Sequence, residues 1–79
     1  MHHHTASIDI EIGKNLRRIR KQLKRSQKEI ATILGITFQQ IQKYENGRNR
    51  LSAGNLYILH KTLDIPLDDF FRNIALEPP

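Results

Sequence analysis

Apolar residues recur in this chain at the spacing of α-helices, and polar turn residues divide them into short segments. In the first segment, one stripe at i, i+4, i+7 and i+11 consists of Ile12, Leu16, Ile19 and Leu23. Such a stripe lies on one face of a helix. Asp9 is a candidate N-cap before it. We therefore expect a first helix from about residue 10 to residue 24.

Side-chain caps predict the boundaries of the next two helices. Ser26 and Glu29 match the capping box, in which a hydroxyl and a carboxylate satisfy free amides at the start of a helix. Gly35 favours the left-handed conformation that ends helices, so we expect the second helix over residues 27–34. Thr37 and Gln40 form a second box of the T-x-x-Q type. The third helix then follows directly and ends before residue 46.

Two further helices complete the predicted fold, which is all-α. Ser52 is the candidate N-cap of a fourth helix whose leucines continue the core, and Pro66 breaks the chain after it. A short fifth helix is expected over residues 67–73. The sequence lacks the alternation of apolar and polar residues that is typical of strands. These features indicate a compact five-helix domain.

The predicted domain covers residues 9–73 and leaves a short segment at each end. Residues 1–8 form a tag-like or disordered arm, and residues 74–79 form a tail. The arm carries three adjacent histidines, which hold a metal only loosely because no second set of ligands accompanies them. We therefore expect neither a metal site nor a cofactor.

The composition narrows the class of protein. The chain has 79 residues, enough for one small domain, and contains no cysteine. Disulfides, a thiolate nucleophile and a cysteine-based zinc site are therefore excluded. No apolar run is long enough to cross a membrane and no signal-peptide pattern is present, so we expect a cytoplasmic protein. Because cysteine is absent and acidic residues are scarce in the middle of the chain, an enzyme is not expected.

Charge is concentrated in the middle of the chain. Residues 13–50 contain eleven Lys and Arg but only two acidic residues, whereas the segments on both sides are net acidic. The net charge of +5 therefore conceals a strongly basic half. A field of this kind attracts a polyanion, either a nucleic acid or an anionic membrane surface.

Two short helices joined by a glycine turn, the second rich in amide side chains, are typical of a helix-turn-helix. Here the sequence resembles a known family. Residues 27–46, QKEIATILGITFQQIQKYEN, are similar to the helix-turn-helix of the bacterial and phage repressor/Cro (Xre-like) regulators. The small Ala31, the turn residue Gly35 and the apolar residues around them carry the resemblance, which extends from Ile12 to Phe71. It implies a repressor-like fold that binds double-stranded DNA.

In a helix-turn-helix the third helix enters the major groove, and the side chains of its first turn point at base edges. The candidate base readers are Phe38, Gln39, Gln40, Gln42 and Lys43. Gln39 is the first of them, because an amide both donates to and accepts from the edge of adenine. Gln40 and Gln42 compete for the same role, and Lys43 is suited to guanine or to a phosphate. Phe38 either contacts a thymine methyl group or folds back onto the domain.

Contacts to the DNA backbone are expected beside the third helix. The resemblance implies a phosphate contact from Gln27, the first residue of the second helix, and further contacts from Asn46, Arg48 and Arg50. Thr37, the predicted N-cap of the third helix, completes this candidate set. The amide end of the second helix adds a partial positive charge that favours an anion.

Arg20 and Glu45 form a predicted pair. Arg20 lies beside the core stripe of the first helix, and Glu45 is one of only two acidic residues in the basic half. The resemblance implies a partly buried ion pair between them, which would fix the third helix rather than contact bases. His60 departs from the family pattern, which has a small core residue there. It either packs in the core with one hydrogen bond or faces a partner beside Tyr57.

A single small helix-turn-helix covers few base pairs, so we expect a homodimer on an inverted-repeat operator. The apolar candidates for its interface are Leu51, Tyr57, Ile58, Phe71, Ile74 and Leu76. Two alternatives keep the fold: an antitoxin, which also binds a toxin protein, and a controller of restriction–modification genes. A protein-interaction adaptor is a third alternative, which the basic charge around the third helix disfavours.

Overall fold

The chain folds into a helix at each segment where the sequence predicts one. The structure, a computed structural model, describes residues 5–75, and this part of the chain contains no strand. Its elements are α1 (Thr5–Gln22), α2 (Gln27–Leu34), α3 (Phe38–Glu45), α4 (Ala53–Thr62) and a 3₁₀ helix (Leu67–Phe71). The all-α class is confirmed. The fifth element is a 3₁₀ helix rather than an α-helix, and it ends early because Arg72 leaves the helical conformation, with φ −63° and ψ 140°.

α1 begins earlier than the apolar stripe predicts. Its first residue is Thr5, so Asp9 lies inside the helix and is not its N-cap. Ile8 packs against the core, and the Asp9 carboxylate accepts a hydrogen bond from Arg50 Nε at 3.0 Å. These tertiary contacts support the N-terminal part of α1. The arm before residue 9 is therefore shorter than predicted, and its three histidines lie outside the described residues.

α1 also ends earlier than predicted. Its last residue is Gln22, and Leu23 follows in a turn. Leu23 is 42% exposed, so it is not the core residue that the stripe predicts. Lys24 then adopts φ 56°, a left-handed conformation that side chains rarely take, and the chain turns into α2.

A complete capping box begins α2, as predicted. The Ser26 hydroxyl accepts a hydrogen bond from the Glu29 amide at 3.0 Å, and the Glu29 carboxylate accepts one from the Ser26 amide at 3.0 Å. The hydrogen bond from the Ser26 amide is the main reason why the pKa of Glu29 lies below its ordinary value, and the positive charge of Arg25 lowers it further. Gly35 ends the helix with φ 68°, so the predicted bounds of α2 are confirmed.

Hydroxyl caps also begin α3 and α4 at the predicted positions. Thr37 accepts a hydrogen bond from the Gln40 amide at 3.3 Å, and Ser52 accepts one from the Asn55 amide at 3.1 Å. Of the T-x-x-Q box at Thr37, only this hydroxyl bond is formed within the described part of the chain. α3 ends before residue 46, as expected, and α4 ends before Pro66.

One hydrophobic core joins all five elements. Its most completely buried large side chains include one from each element, namely Leu16, Ile30, Ile41, Leu59 and Phe70. Each of them is at most 1% exposed. Burial of such side chains is the main stabilising term for a small domain without disulfides. The shared core fixes α2 and α3 relative to each other.

A buried amide fastens the 3₁₀ helix to α1. Asn15 is 5% exposed, and its Nδ2 donates to the carbonyl oxygens of Phe70 and Arg72, each at 2.8 Å. Arg18 donates to the Asp69 carbonyl oxygen, also at 2.8 Å. The end of the domain is thus held to its first helix by polar contacts that the local sequence does not signal.

His60 supports the turn that follows α4. The residue is half-buried, and its Nδ1 forms a hydrogen bond with the Ile65 carbonyl oxygen. Its ring centroid lies 6.2 Å from that of Tyr57. This geometry corresponds to the first alternative from the sequence, a packed histidine with one hydrogen bond.

Candidate nucleic-acid interface

α2 and α3 form a helix-turn-helix around Gly35. The left-handed conformation of this glycine turns the chain, and α3 begins only three residues after Gly35. Ile30 and Ala31 of α2 are buried in the same core as Ile41 of α3. The inner side of each helix is therefore fixed, and the opposite side of α3 faces outward.

The outward side of α3 carries most of the predicted base readers. Gln39, Gln42 and Lys43 are exposed and stand at i, i+3 and i+4, which is one face of a helix. Asn46, also exposed, continues this face one turn after Gln42. Gln40 is half-buried and lies about 100° around the helix axis from Gln39. We call Gln39, Gln42, Lys43 and Asn46 the recognition face.

Phe38 begins α3 but does not belong to the recognition face. Its ring is half-buried and packs against the hydrophobic core. The Lys28 ammonium lies over this ring, with Nζ 5.6 Å from the ring centroid. Of the two alternatives that the sequence leaves open, the structure adopts the one in which Phe38 folds back onto the domain. We therefore remove Phe38 from the candidate base readers.

A buried ion pair connects α1 to the end of α3. Arg20 Nε and Nη2 donate to the two carboxylate oxygens of Glu45 at 2.7 and 3.0 Å. The two side chains are 11% and 3% exposed, so water screens the pair only weakly. Arg20 Nη1 also donates to the Arg25 carbonyl oxygen at 3.0 Å. The pair that the sequence predicts is therefore present. Through the Arg25 carbonyl oxygen, Arg20 also binds the turn between α1 and α2.

Gln27 joins the same network. Its Nε2 donates to Glu45 Oε1 at 3.1 Å, and the residue is half-buried. The amide thus supports the carboxylate that binds Arg20. Because one hydrogen of Gln27 Nε2 is used by Glu45, the phosphate contact that the resemblance implies would come from the backbone amide or from the remaining polar atoms of the side chain.

The other candidates for backbone contacts differ in their surroundings. Asn46 and Arg48 are exposed at the end of α3 and in the loop after it, and Thr37 is exposed at its start. Arg50 forms an ion pair with Asp9 of α1, with Nε 3.0 Å from the carboxylate. The carboxylate offsets part of the positive charge of Arg50. Arg48 is therefore the stronger candidate for a phosphate contact.

Exposed apolar side chains lie on α4 and the 3₁₀ helix. Their exposed fractions are 58, 40, 42 and 41% for Tyr57, Ile58, Leu67 and Phe71. Leu51, a predicted interface residue, is only 8% exposed and belongs to the core, so this assignment is wrong. Ile74 is half-buried and packs against the core. Leu76 lies outside the described residues.

Three residues near this site carry no assignment from the sequence. Gly13 lets α1 approach the backbone of α3, Asn15 holds the 3₁₀ helix, and Lys28 covers Phe38. A glycine inside a helical stripe is a local signal for the first of them, since it costs about 1 kcal/mol relative to alanine and indicates a packing requirement. Asn15 and Lys28 depend on partners distant in sequence, which local patterns do not reveal.

The recognition face presents amides and an ammonium, and Arg48 adds a guanidinium beside it; groups of these kinds act as hydrogen-bond donors in protein–DNA complexes. Among residues 5–75, no His, Cys, Asp and Glu side chains group in threes that could hold a metal ion. No helix in the same stretch is long and apolar enough to span a membrane.

Two short helices, a glycine turn and an outward face of amides and a cation define a helix-turn-helix protein. The profile of the helix-turn-helix family matches residues 16–70, more than half of the chain. The chain therefore belongs to the helix-turn-helix family, of the phage repressor/Cro (Xre-like) type. It is a domain of the kind found in DNA-binding transcriptional regulators.

Named relatives are transcriptional regulators. The chain is 43% identical over 72 residues to an uncharacterized transcriptional regulator in the ATPase CF(0) region of Rhodospirillum rubrum, with 91% of this chain and 67% of the relative covered. It is 46% identical over 66 residues to an uncharacterized HTH-type transcriptional regulator of Sinorhizobium medicae, with 84% and 48% covered. The chain thus spans two thirds of the first relative and about half of the second.

A solved structure has a similar fold. The restriction-modification controller protein C.AhdI from Aeromonas hydrophila matches with a TM-score of 0.78 and 26% sequence identity. The match covers 87% of this chain and 100% of that chain. The likeness therefore includes nearly the whole helical domain described above.

Proposed function

We propose that this domain binds double-stranded DNA sequence-specifically, with α3 in the major groove, and that it regulates transcription from the bound site. The recognition face carries this proposal, because it presents polar side chains on the one side of α3 that is not buried. Gln39 and Gln42 offer paired donors and acceptors for adenine, and Lys43 offers a cation for guanine or a phosphate. An α-helix with its side chains is about 10–12 Å in diameter and therefore fits the major groove, which is about 12 Å wide.

The surroundings of α3 support the same proposal. Residues 13–50 carry a large excess of positive charge, which attracts the DNA backbone regardless of base sequence. Arg48 and Asn46 are available to hold phosphates beyond the C-terminal end of α3. The Arg20–Glu45 pair fixes α3 in the DNA-free protein, so the entropy cost of ordering α3 on binding is small.

We further propose that two copies bind an inverted repeat in the bacterial cytoplasm. One small helix-turn-helix contacts few base pairs, and two related half-sites lie about 34 Å apart on one face of the DNA. The exposed apolar side chains of α4 and the 3₁₀ helix supply the interface, namely Tyr57, Ile58, Leu67 and Phe71. Compared with the set predicted from the sequence, Leu67 is added because it is exposed, and Leu51 and Ile74 are left out because they pack in or against the core. Leu76 lies outside the described residues and stays a prediction.

A control protein of restriction–modification genes is the second candidate. The likeness to C.AhdI over the full length of that chain favours it. Both candidates bind an operator, so they differ in the genes beside that operator rather than in their chemistry. The location of the recovered site next to restriction–modification genes would distinguish them.

Selection from a random duplex library at about 0.15 M salt, followed by sequencing, tests the proposal. We expect an inverted repeat with half-sites about one helical turn apart, or a multiple of that distance. Recovery of a single half-site would support sequence-specific DNA binding but would overturn the proposed dimer. Salt-sensitive binding without any motif would overturn sequence-specific recognition, and a protein partner such as a toxin would then be the next hypothesis.

A further inference from the structure

The ammonium group of Lys28 lies at the N-terminal end of α3, the recognition helix of the proposed complex. Lys28 is the second residue of α2, and its side chain is exposed. Its Nζ lies 5.6 Å from the ring centroid of Phe38, the first residue of α3. The ammonium is therefore next in space to the residue that precedes Gln39, where the recognition face begins.

No acidic side chain neutralises this ammonium among residues 5–75. The five ion pairs in this part of the chain use Lys14, Arg20, Arg25, Arg50 and Arg72 as their cations. Glu29, the acid next to Lys28 in sequence, pairs with Arg25 at 3.4 Å. An aromatic ring attracts a cation through its quadrupole and leaves the net charge in place. Lys28 can therefore still bind an anion.

The other cations of the recognition helix lie toward its opposite end. Lys43 is in the last turn of α3, and Arg48 lies in the loop beyond it. In a helix-turn-helix complex the second helix of the motif lies in the major groove, while the first helix, here α2, crosses the DNA backbone. Thr37, the candidate for a backbone contact at the N-terminal end, is uncharged, and Gln27 bonds Glu45 at the opposite end of α3. Lys28 adds a cation at the N-terminal end.

We propose that Lys28 binds a phosphate of the DNA backbone at the N-terminal end of α3, and that Phe38 is the positioning residue that holds its ammonium there. This inference rests on the proposed DNA-binding function. Phe38 contributes to affinity through Lys28 without contacting a base. The first position of α3 thus affects binding to all duplexes rather than the choice between them.

The test measures the affinity of a short mixed-sequence DNA duplex over a range of salt concentrations. The variants are Lys28→Gln, Lys28→Arg and the control Lys61→Gln. Lys61 is a matched control because its Nζ also lies over a ring, 5.8 Å from the centroid of Tyr57, and its replacement removes the same charge. The control ammonium lies on α4, outside the recognition helix.

Loss of one phosphate contact has a defined effect on the salt dependence. We expect Lys28→Gln to reduce the slope of log K against log salt by about one unit, and to weaken binding about five-fold at 0.15 M salt. Lys28→Arg should keep the slope, because a guanidinium binds both the ring and a phosphate. Lys61→Gln should also keep it. Equal slopes for Lys28→Gln and Lys61→Gln would overturn the proposal.

A double-mutant comparison tests the positioning role of Phe38. Phe38→Leu should weaken duplex binding when Lys28 is present and have no further effect in the Lys28→Gln background. Because Phe38 also packs against the core, Phe38→Tyr serves as the second variant, and its retained ring should preserve the slope. Equal losses from Phe38→Leu in both backgrounds would overturn the positioning role. Absence of duplex binding by the unmodified protein would instead overturn the proposed function itself.

Discussion

Gly13 lies so close to Tyr44 that no side chain fits between them. A Cβ atom placed on Gly13 would be 2.0 Å from the Tyr44 carbonyl oxygen. α1 therefore touches the last turn of α3 directly through its backbone. Gly47, just after α3, makes a similar approach, since its Cβ would be 2.6 Å from Cγ1 of Ile10. The position of the recognition helix on α1 thus depends on two glycines.

Gly13→Ala should destabilise the domain, even though alanine favours helices over glycine by about 1 kcal/mol. The added methyl group meets backbone, which moves only if α3 shifts. We expect a net loss of about 1–3 kcal/mol in the free energy of unfolding, measured by urea denaturation. Gly54→Ala in α4 is the control, because the nearest atom to its Cβ is Ser52 Oγ at 4.0 Å. Equal effects of both changes would contradict the close approach of α1 and α3.

Glu45→Gln should test the buried ion pair. The change leaves Arg20 without its counter-charge at a site where the two side chains are 11% and 3% exposed. We expect a loss of up to about 3–5 kcal/mol in the free energy of unfolding, together with weaker DNA binding. Glu11→Gln is the control, because in the Lys14–Glu11 pair the side chains are 66% and 33% exposed, and pairs that water reaches contribute about 0–1 kcal/mol. Unchanged melting and unchanged DNA affinity for Glu45→Gln would exclude the proposed role of the pair.

Helix boundaries defined by local chemistry are predictable from this sequence. Ser26 and Glu29 form their box with neighbouring amides only, and Gly35 takes the left-handed conformation that few other residues tolerate. Thr37 and Ser52 likewise bond to amides three residues further on. Both ends of α2 and the first residues of α3 and α4 follow from these contacts. The outward positions of α3 follow from its buried ones by helical spacing.

Features that depend on distant partners are not predictable in this way. The N-terminal part of α1 is supported by the contact between Asp9 and Arg50, which are 41 residues apart. The 3₁₀ helix is held by Asn15, whose partner Phe70 is 55 residues away. Leu51 is apolar and follows a polar loop, which suits an interface as well as a core. Only the three-dimensional packing decides between those two environments.

Protonation of Glu29 at low pH should remove its contribution to the free energy of unfolding. The hydrogen bond from the Ser26 amide, with a smaller effect of Arg25, lowers the pKa of this carboxyl below its ordinary value of 4.5. When the pKa of a carboxyl is lower in the folded state than in the unfolded state, its ionisation stabilises the folded state at pH values above the unfolded pKa. This contribution is lost as the pH falls through the folded pKa. The wild type should therefore be more stable than Glu29→Gln at neutral pH, and the difference should shrink as the pH falls below 4.5.

Ser52→Ala provides the control for this pH dependence. The Ser52 hydroxyl caps α4 through the Asn55 amide and has no carboxylate partner in its cap. Its removal should cost about 1 kcal/mol at neutral and at acidic pH alike. Urea denaturation of the three proteins at about pH 7 and about pH 3 measures both effects. A difference between wild type and Glu29→Gln that stays constant between these pH values would contradict the assignment.

Gln39→Ala and Arg48→Ala should separate base readout from backbone attraction. Gln39 opens the recognition face, so its loss should weaken the best operator by about 1–3 kcal/mol and leave binding to mixed-sequence DNA almost unchanged. Arg48 is exposed in the loop after α3, so its loss should weaken all duplexes alike and reduce the salt slope by about one unit. Titrations of an operator duplex and a scrambled duplex at several salt concentrations measure both quantities. Loss of discrimination in Arg48→Ala but not in Gln39→Ala would show that Arg48 reads bases and that Gln39 contacts the backbone.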